Sequence, residues 1–196
     1  MTQLARLTDV AEITPGYSTP GAIQHQPDGR FQIIQPRHIE ESGRPFVFDE
    51  GRHLMRMDLP DRAQKYCIQP GDVLFMSRGE RNRAAAIVSC PANAVPTVAF
   101  FVLRPKPAVI PEYLAWFLNQ APAQTAIAQI RTGAGTPIVQ RPQFETLTIN
   151  VPPVQTQRRI ASLSSLLQCE QDLMRQMDVT VAARNRALGL TIINTL

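Results

Sequence analysis

The chain has 196 residues, enough for one domain with a real core plus an appendage. With 44% hydrophobic residues, no apolar run of 18, and Arg6 and Asp9 where a leader peptide would need an apolar stretch, the expectation is a cytoplasmic protein with neither a membrane span nor a secretory leader. The net charge of +4 and pI near 9.3 are a mild pointer to an anionic partner, carried by 18 arginines against two lysines. A GC-rich source explains that bias equally well, so the placement of the arginines has to decide.

The first stretch, Leu4 to Ile13, has apolar residues at 4, 7, 10 and 13 and suits a short helix or an edge segment. Turns follow at Pro15-Gly16, Pro20-Gly21 and Pro27-Asp28-Gly29, and then a strand from Phe31 to Gln35. A Ser42-Gly43 turn introduces a strand at Phe46 to Phe48. Pro70-Gly71-Asp72 delivers the chain into a buried strand, Val73 to Ser77, and two further strands are expected at Ala84 to Val88 and Thr97 to Arg104, separated by a turn from Pro91 to Pro96. Between the first two lies Arg78-Gly79-Glu80-Arg81-Asn82-Arg83, three arginines and an asparagine on one tight connection.

Pro111 opens a helix with Tyr113, Leu114, Phe117 and Leu118 on one face. Pro122 interrupts it, and Ala123 to Ile130 resume it. The segment Arg131 to Pro137 reads as a flexible polar connection, followed by Ile138 to Arg141, Phe144 and a last strand, Leu147 to Val151. There is no internal repeat.

From Val154 to Leu196 the composition changes. All 17 prolines, all 12 aromatics and nine of the ten glycines lie before this segment. Ile160, Leu167, Met174, Val181 and Leu188 recur every seven residues, with Leu163 and Met177 on the adjoining line. This is a helix about 65 Å long if continuous, with a seam made imperfect by Glu170, Arg184 and Thr191 and widened by Leu166 and Leu173. Gly189 weakens its end by about 1 kcal/mol relative to alanine. Such a stripe seeks another subunit, or alternatively its own domain. The fold class is therefore α+β, with a strand-rich recognition domain at 1–152 and a spacer or dimerisation helix at 153–196.

Several stretches together resemble the specificity subunit of type I restriction–modification systems. Leu7-Thr8-Asp9-Val10-Ala11-Glu12-Ile13 with Gly16 is similar to the start of a target recognition domain of that family. Pro70 to Gly79 resembles its G-D-[IV]-L strand and glycine loop. Gly135-Thr136-Pro137 followed by Leu147 to Ala161 resembles the lead-in to its spacer helix, with Thr156 where the family usually has Glu before Gln157. Family members usually carry two recognition domains and two spacer helices, whereas this chain has one of each. The resemblance implies a half-subunit whose copies pair their helices antiparallel and read a two-part DNA site with inverted half-sites. It also implies assembly with a modification methyltransferase subunit and a restriction motor subunit.

No catalytic constellation is expected. Asn150-Val151-Pro152-Pro153-Val154 only superficially resembles a methyltransferase motif, neither lysine has a nuclease-type acidic neighbour two places before it, and Gly133-Ala134-Gly135 lacks the G-K-[ST] of a phosphate cradle. Cys67, Cys90 and Cys169, like His25, His38 and His53, lack metal-ligand spacing, so no metal or other cofactor is expected. Candidate DNA contacts are Arg78, Arg81, Asn82 and Arg83; Arg131, Thr132, Gln140 and Arg141; and Arg37 with His38. Arginine forks and an amide discriminate guanine and adenine edges, although phosphate positioning employs the same side chains. Candidate dimer contacts are Ile160, Leu163, Leu167, Met174, Met177, Val181 and Leu188. Two other readings remain at this point: a dimerisation scaffold without DNA binding, and the detached recognition piece of a single-chain methyltransferase-nuclease.

Overall fold

A computed structural model describes residues 2–19, 21–39, 43–49, 54–133 and 135–195, with side chains described as far as Leu188. His53, and the parts of the expected turns and loops that fall on Pro20, Ser42 and Ala134, lie outside these residues. The chain divides into two compact units, Met1–Ala161 and Ser162–Leu196.

In chain order the elements are β1 (Gln3–Arg6), α1 (Leu7–Val10), β2 (Ala11–Pro15), β3 (Phe31–Ile34), β4 (Met55–Met57), β5 (Val73–Met76), β6 (Ala84–Ala86), β7 (Ala94–Pro96) and β8 (Phe100–Pro105). They continue with α2 (Pro111–Leu118), α3 (Ala121–Gln129), β9 (Arg131–Thr132), β10 (Ile138–Val139), α4 (Arg141–Glu145), β11 (Thr148–Val151) and α5 (Val154–Thr195). The mixture of strands and helices with a long C-terminal helix is the α+β architecture expected.

The centre of the first unit is an antiparallel sheet in the order β2-β8-β5-β6. Its strands are apolar on both faces because both faces are covered. Val73, Phe75, Phe101 and Leu103 point to one side, where they meet Leu114 and Leu118 of α2 and Phe144 of α4. Leu74, Ala85, Phe100 and Val102 point to the other, against Ile34, Phe46 and Ile87. Side-chain alternation along a strand thus turns an unbroken hydrophobic run into two separate cores. Phe75 stacks on Phe144 with ring centroids 4.3 Å apart, and Phe101 lies 5.3 Å from Phe144.

A three-stranded sheet, β4-β3-β7, supplies a third core in which Phe31, Ile33 and Val95 pack with Tyr17, Leu59 and Ala63. Its β7 falls where the sequence reads as a turn. It is an edge strand paired parallel to β3, a position in which Pro96 loses no ladder bond. Of the strand expected at 46–48, only a bridge from Phe46 to Ile87 forms. Leu4 to Ile13 is split, with β1 paired to β11, one helical turn, and β2 in the central sheet. Gly16 has a steric reason, since a Cβ there would lie 2.1 Å from the carbonyl oxygen of Thr97.

Two buried polar residues fix the frame. Asp72, wholly buried, accepts from Arg104 Nε at 2.9 Å and Nη2 at 3.1 Å and from the Gln69 amide at 3.0 Å, tying the turn before β5 to β8. Gln157, also wholly buried, accepts from Ile110 N at 2.9 Å and donates to Ala108 O and Pro152 O, both at 2.8 Å. The first turns of α5 are thereby fastened to the segment between β8 and α2. Ile160 packs against the first core. By contrast, Leu163, Leu166, Leu173, Met174 and Met177 are 57–68% exposed.

Candidate nucleic-acid interface

The connection from β5 to β6 is the most arginine-dense segment of the first unit, and its shape follows from its backbone bonds. Ser77 donates its amide to Ala99 O at 2.8 Å while its own carbonyl accepts from Val139 N at 2.8 Å, and Gly79 N donates to Pro137 O at 2.9 Å. Arg78 and Ile138 form an antiparallel bridge. The strand is in effect prolonged past Met76 along the β9–β10 hairpin. Gly79 then turns at φ 99°, a left-handed conformation that strains any residue with a Cβ.

The segment expected to be a flexible connection, 131–137, is therefore ordered at both ends as a hairpin, with Ile138 opposite Thr132 and Val139 opposite Arg131. Arg131 Nη2 approaches Gly79 O at 3.5 Å, and Gln140 Nε2 donates to Thr132 Oγ1 at 3.2 Å. Two basic segments more than 50 residues apart in sequence become neighbours. A third joins them. Pro36, first residue of the 3-10 turn Pro36–His38, lines an open depression of about 470 Å³ together with Met76, Arg78, Gly79, Glu80, Arg81, Ala99 and Thr136.

The candidate residues divide by exposure. Arg37, Arg78 and Arg81 are exposed, and Arg83 and Arg131 are half-buried with their Nε atoms buried and bonded to nothing among the described residues. Thr132 and Gln140 are exposed, and Arg141 is bound to Glu145 at 2.5 Å. Two candidates sit differently from the surface role expected of them. Asn82 is 3% exposed, and its side-chain amide donates to Met76 O at 2.8 Å, so it braces the loop from within. His38 is 8% exposed, and its Nδ1 accepts from Gln35 N at 3.0 Å while Arg37 Nε approaches its Nε2 at 3.4 Å, so the ring braces the turn.

Sequence reasoning missed the residues that hold the loop. Asn119, at the end of α2, accepts from Ala84 N at 2.9 Å and donates to Ala84 O at 2.8 Å, imitating a neighbouring strand along β6. Gln124 of α3 donates to Asn82 O at 2.8 Å. Nothing in a single polar residue near a helix end announces such a partner. Glu80 is the acidic member of the rim and partly offsets the arginines.

The arrangement offers several rigidly based guanidinium groups around a shallow surface, suited to phosphates and to base edges. A second hollow of about 260 Å³, lined by Leu4, Leu7, Phe117, Ile149 and neighbours, has no charged wall and does not suit an anionic ligand. Among the described residues no group of three His, Cys, Asp or Glu side chains could hold a metal, and no helix is long and apolar enough to cross a membrane. The half-buried thiols are chemically quiet. Burial pushes Cys67 up against an opposing pull from Arg30, and burial with nearby Asp72 and Cys67 pushes Cys90 up to about 11. Burial likewise raises Tyr113, whose hydroxyl donates to Asn150 O at 2.6 Å.

Three solved structures share this fold. One, describing complex assembly and conformational transition of the type I R-M system, superposes with a TM-score of 0.69 at 17% identity over 95% of this chain and 43% of that one. The HsdS subunit from Thermoanaerobacter tengcongensis gives 0.59 at 17% identity over 89% and 39%, and the type I S subunit from M. genitalium 0.54 at 12% identity over 85% and 38%. The chain thus spans about two fifths of each. No curated protein sequence matches it. Residues 2–178 match the model of the type I restriction modification DNA specificity domain, and the chain belongs to that family.

Proposed function

We propose that the protein reads sequence on double-stranded DNA and, as a homodimer joined through its C-terminal helix, directs a modification methyltransferase subunit and a restriction motor subunit to a two-part site with inverted half-sites. It performs no chemistry of its own and acts in the cytoplasm. The observation that carries this reading is one depression lined by Arg78 and Arg81, to which the neighbouring segments contribute Pro36 and Thr136, with Arg131 reaching Gly79 of the same loop. Membership of the specificity-domain family supports it, as does the exposed apolar stripe of α5.

In this reading Arg78, Arg81 and Arg83 on one loop and Arg131 on the hairpin approach the duplex, with Arg37 at the margin. Asn82, His38, Asn119 and Gln124 position the loops instead of touching bases. The test is duplex binding by fluorescence anisotropy as a function of salt, using fragments of the source genome enriched for binding. Affinity should fall steeply with salt, with a slope of about −0.9 per phosphate neutralised. Arg81→Ala with Arg83→Ala should weaken the selected site by about tenfold or more at fixed salt. Unchanged affinity would remove this loop from the interface, and a complete absence of salt-dependent binding would leave the scaffold reading in its place.

A further inference from the structure

We propose that Glu80 determines specificity by accepting a hydrogen bond from the exocyclic amino group of a cytosine in the major groove, so that the recognised half-site holds a C·G pair where this side chain meets the duplex. This rests on the DNA reading above and deepens it by assigning a base to one residue. Glu80 is exposed and lines the depression together with exposed Arg78 and Arg81 and half-buried Pro36, Met76 and Ala99. The backbone fixes its place from both sides. Gly79 turns at φ 99° and donates to Pro137 O at 2.9 Å, and buried Asn82 donates to Met76 O at 2.8 Å. Among the described residues no ion pair or hydrogen bond holds the Glu80 carboxylate, in contrast to Glu145, which is bound to Arg141.

A free carboxylate is the wrong group for a surface that only grips phosphates. It repels them, it offsets a neighbouring arginine, and here it ties no backbone group in exchange. On the bases its two acceptor oxygens have few partners. In the major groove guanine shows N7 and O6 and thymine shows O4, all of them acceptors. Adenine has an N6 amino donor, but its N7 acceptor lies beside it. Cytosine has its N4 amino donor with no acceptor of its own alongside. The guanine N2 donor lies in the minor groove, where the phosphate chains are closest and a carboxylate is repelled most.

Arg78 is separated from Glu80 by Gly79 alone and supplies a fork of opposite sign to the same depression. Fork and carboxylate match the two halves of one C·G pair, or of two adjoining pairs. Guanine N7 and O6 take the guanidinium, and cytosine N4 gives its hydrogen to the carboxylate. Any other base in the cytosine position sets Glu80 against an acceptor. The side chain therefore contributes little affinity and much rejection of the wrong sequence.

The test is selection of bound duplexes from a random library by the full chain, followed by sequencing, for the original and for Glu80→Gln and Glu80→Ala. The original should enrich a motif with a C·G position that rejects other pairs by about tenfold or more. Glutamine keeps an acceptor for cytosine and adds a donor for adenine N7, so Glu80→Gln should take C and A there with less than about threefold difference. Glu80→Ala should lose the preference and bind unrelated duplex at least about twofold more tightly at fixed salt, because a repelling charge is gone. The contact itself is read by placing N4-methylcytosine at that position, where the methyl group replaces the amino hydrogen that faces the groove. The original should lose about tenfold or more and Glu80→Ala less than about threefold. Both variants should keep the denaturation midpoint of the original, since Glu80 is exposed. A motif without a C·G pair, or one that Glu80→Gln leaves unchanged, overturns the assignment while the DNA reading stands. A chain that enriches no motif and shows no salt-dependent binding removes both.

Discussion

The two units of this chain solve the problem of apolar surface in opposite ways. In the first, Phe75, Leu74, Phe100 and Leu103 are all 0% exposed within a sheet covered on both faces. In the second, Leu166 is 68% exposed and Met177 63% exposed, on a helix whose polar residues interrupt the stripe without dispersing it. The first closes its apolar surface within itself, and the second leaves an apolar line open. Apolar residues inside a closed core report on stability, whereas the same residue types in an open line report on association.

The largest expected effect is on the closed side. Phe75→Ala removes a wholly buried ring stacked on Phe144 and should cost about 3–5 kcal/mol, read as a fall in denaturation midpoint at constant slope. Leu173→Ala on the open side should leave that midpoint within about 0.5 kcal/mol, and a comparable loss there would erase the contrast between the units. The junction comes next. Gln157→Ala strands the Ile110 amide and the Ala108 carbonyl in a buried place and should destabilise the first unit by about 2–3 kcal/mol. A measurement near zero would mean that α5 is not fastened through this side chain.

The smallest effect concerns the thiols. Cys169 is exposed, while Cys90 is held at about 11 against an ordinary 9.0. Iodoacetamide at pH 8 should therefore label Cys169 first, with Cys90 at least about a hundredfold slower than a thiol of ordinary acidity. Because folding raises the Cys90 value, its contribution to stability is fully present below pH 9 and is lost as pH rises towards 11. Equal labelling of the two cysteines would place Cys90 in solvent.

Much of the fold could be read from the residues. The strands Val73–Met76 and Phe100–Pro105 fall largely within the apolar runs read at 73–77 and 97–104, the second of them starting three residues later than expected, the helix pair breaks just before Pro122, and the tail declares itself by the absence of proline. What escaped depends on distant partners. Ala94 to Pro96 is a strand only because β3 lies beside it, and the 131–137 connection becomes a hairpin because Ser77 and Gly79 bond to it. The arginine clusters were legible as clusters, but their convergence was not. Asn82 illustrates the limit most sharply, since an amide that can read adenine serves equally well to tie a loop to Met76, and only the burial tells the two apart.

The unbroken course of α5 from Val154 to Thr195 also constrains how the proposed dimer could change the spacing of its half-sites. Each inserted residue advances a helix by about 1.5 Å and turns it by about 100°. Insertions of about seven or eleven residues return the seam to within about 20° of phase. In a two-fold antiparallel pair an insertion between the domain and the axis counts twice, so a seven-residue step there lengthens the span by about 21 Å, close to six base pairs of B-form DNA at about 3.4 Å each. The gap between half-sites would evolve in coarse jumps, and single-base adjustments would have to come from the loops that touch the duplex.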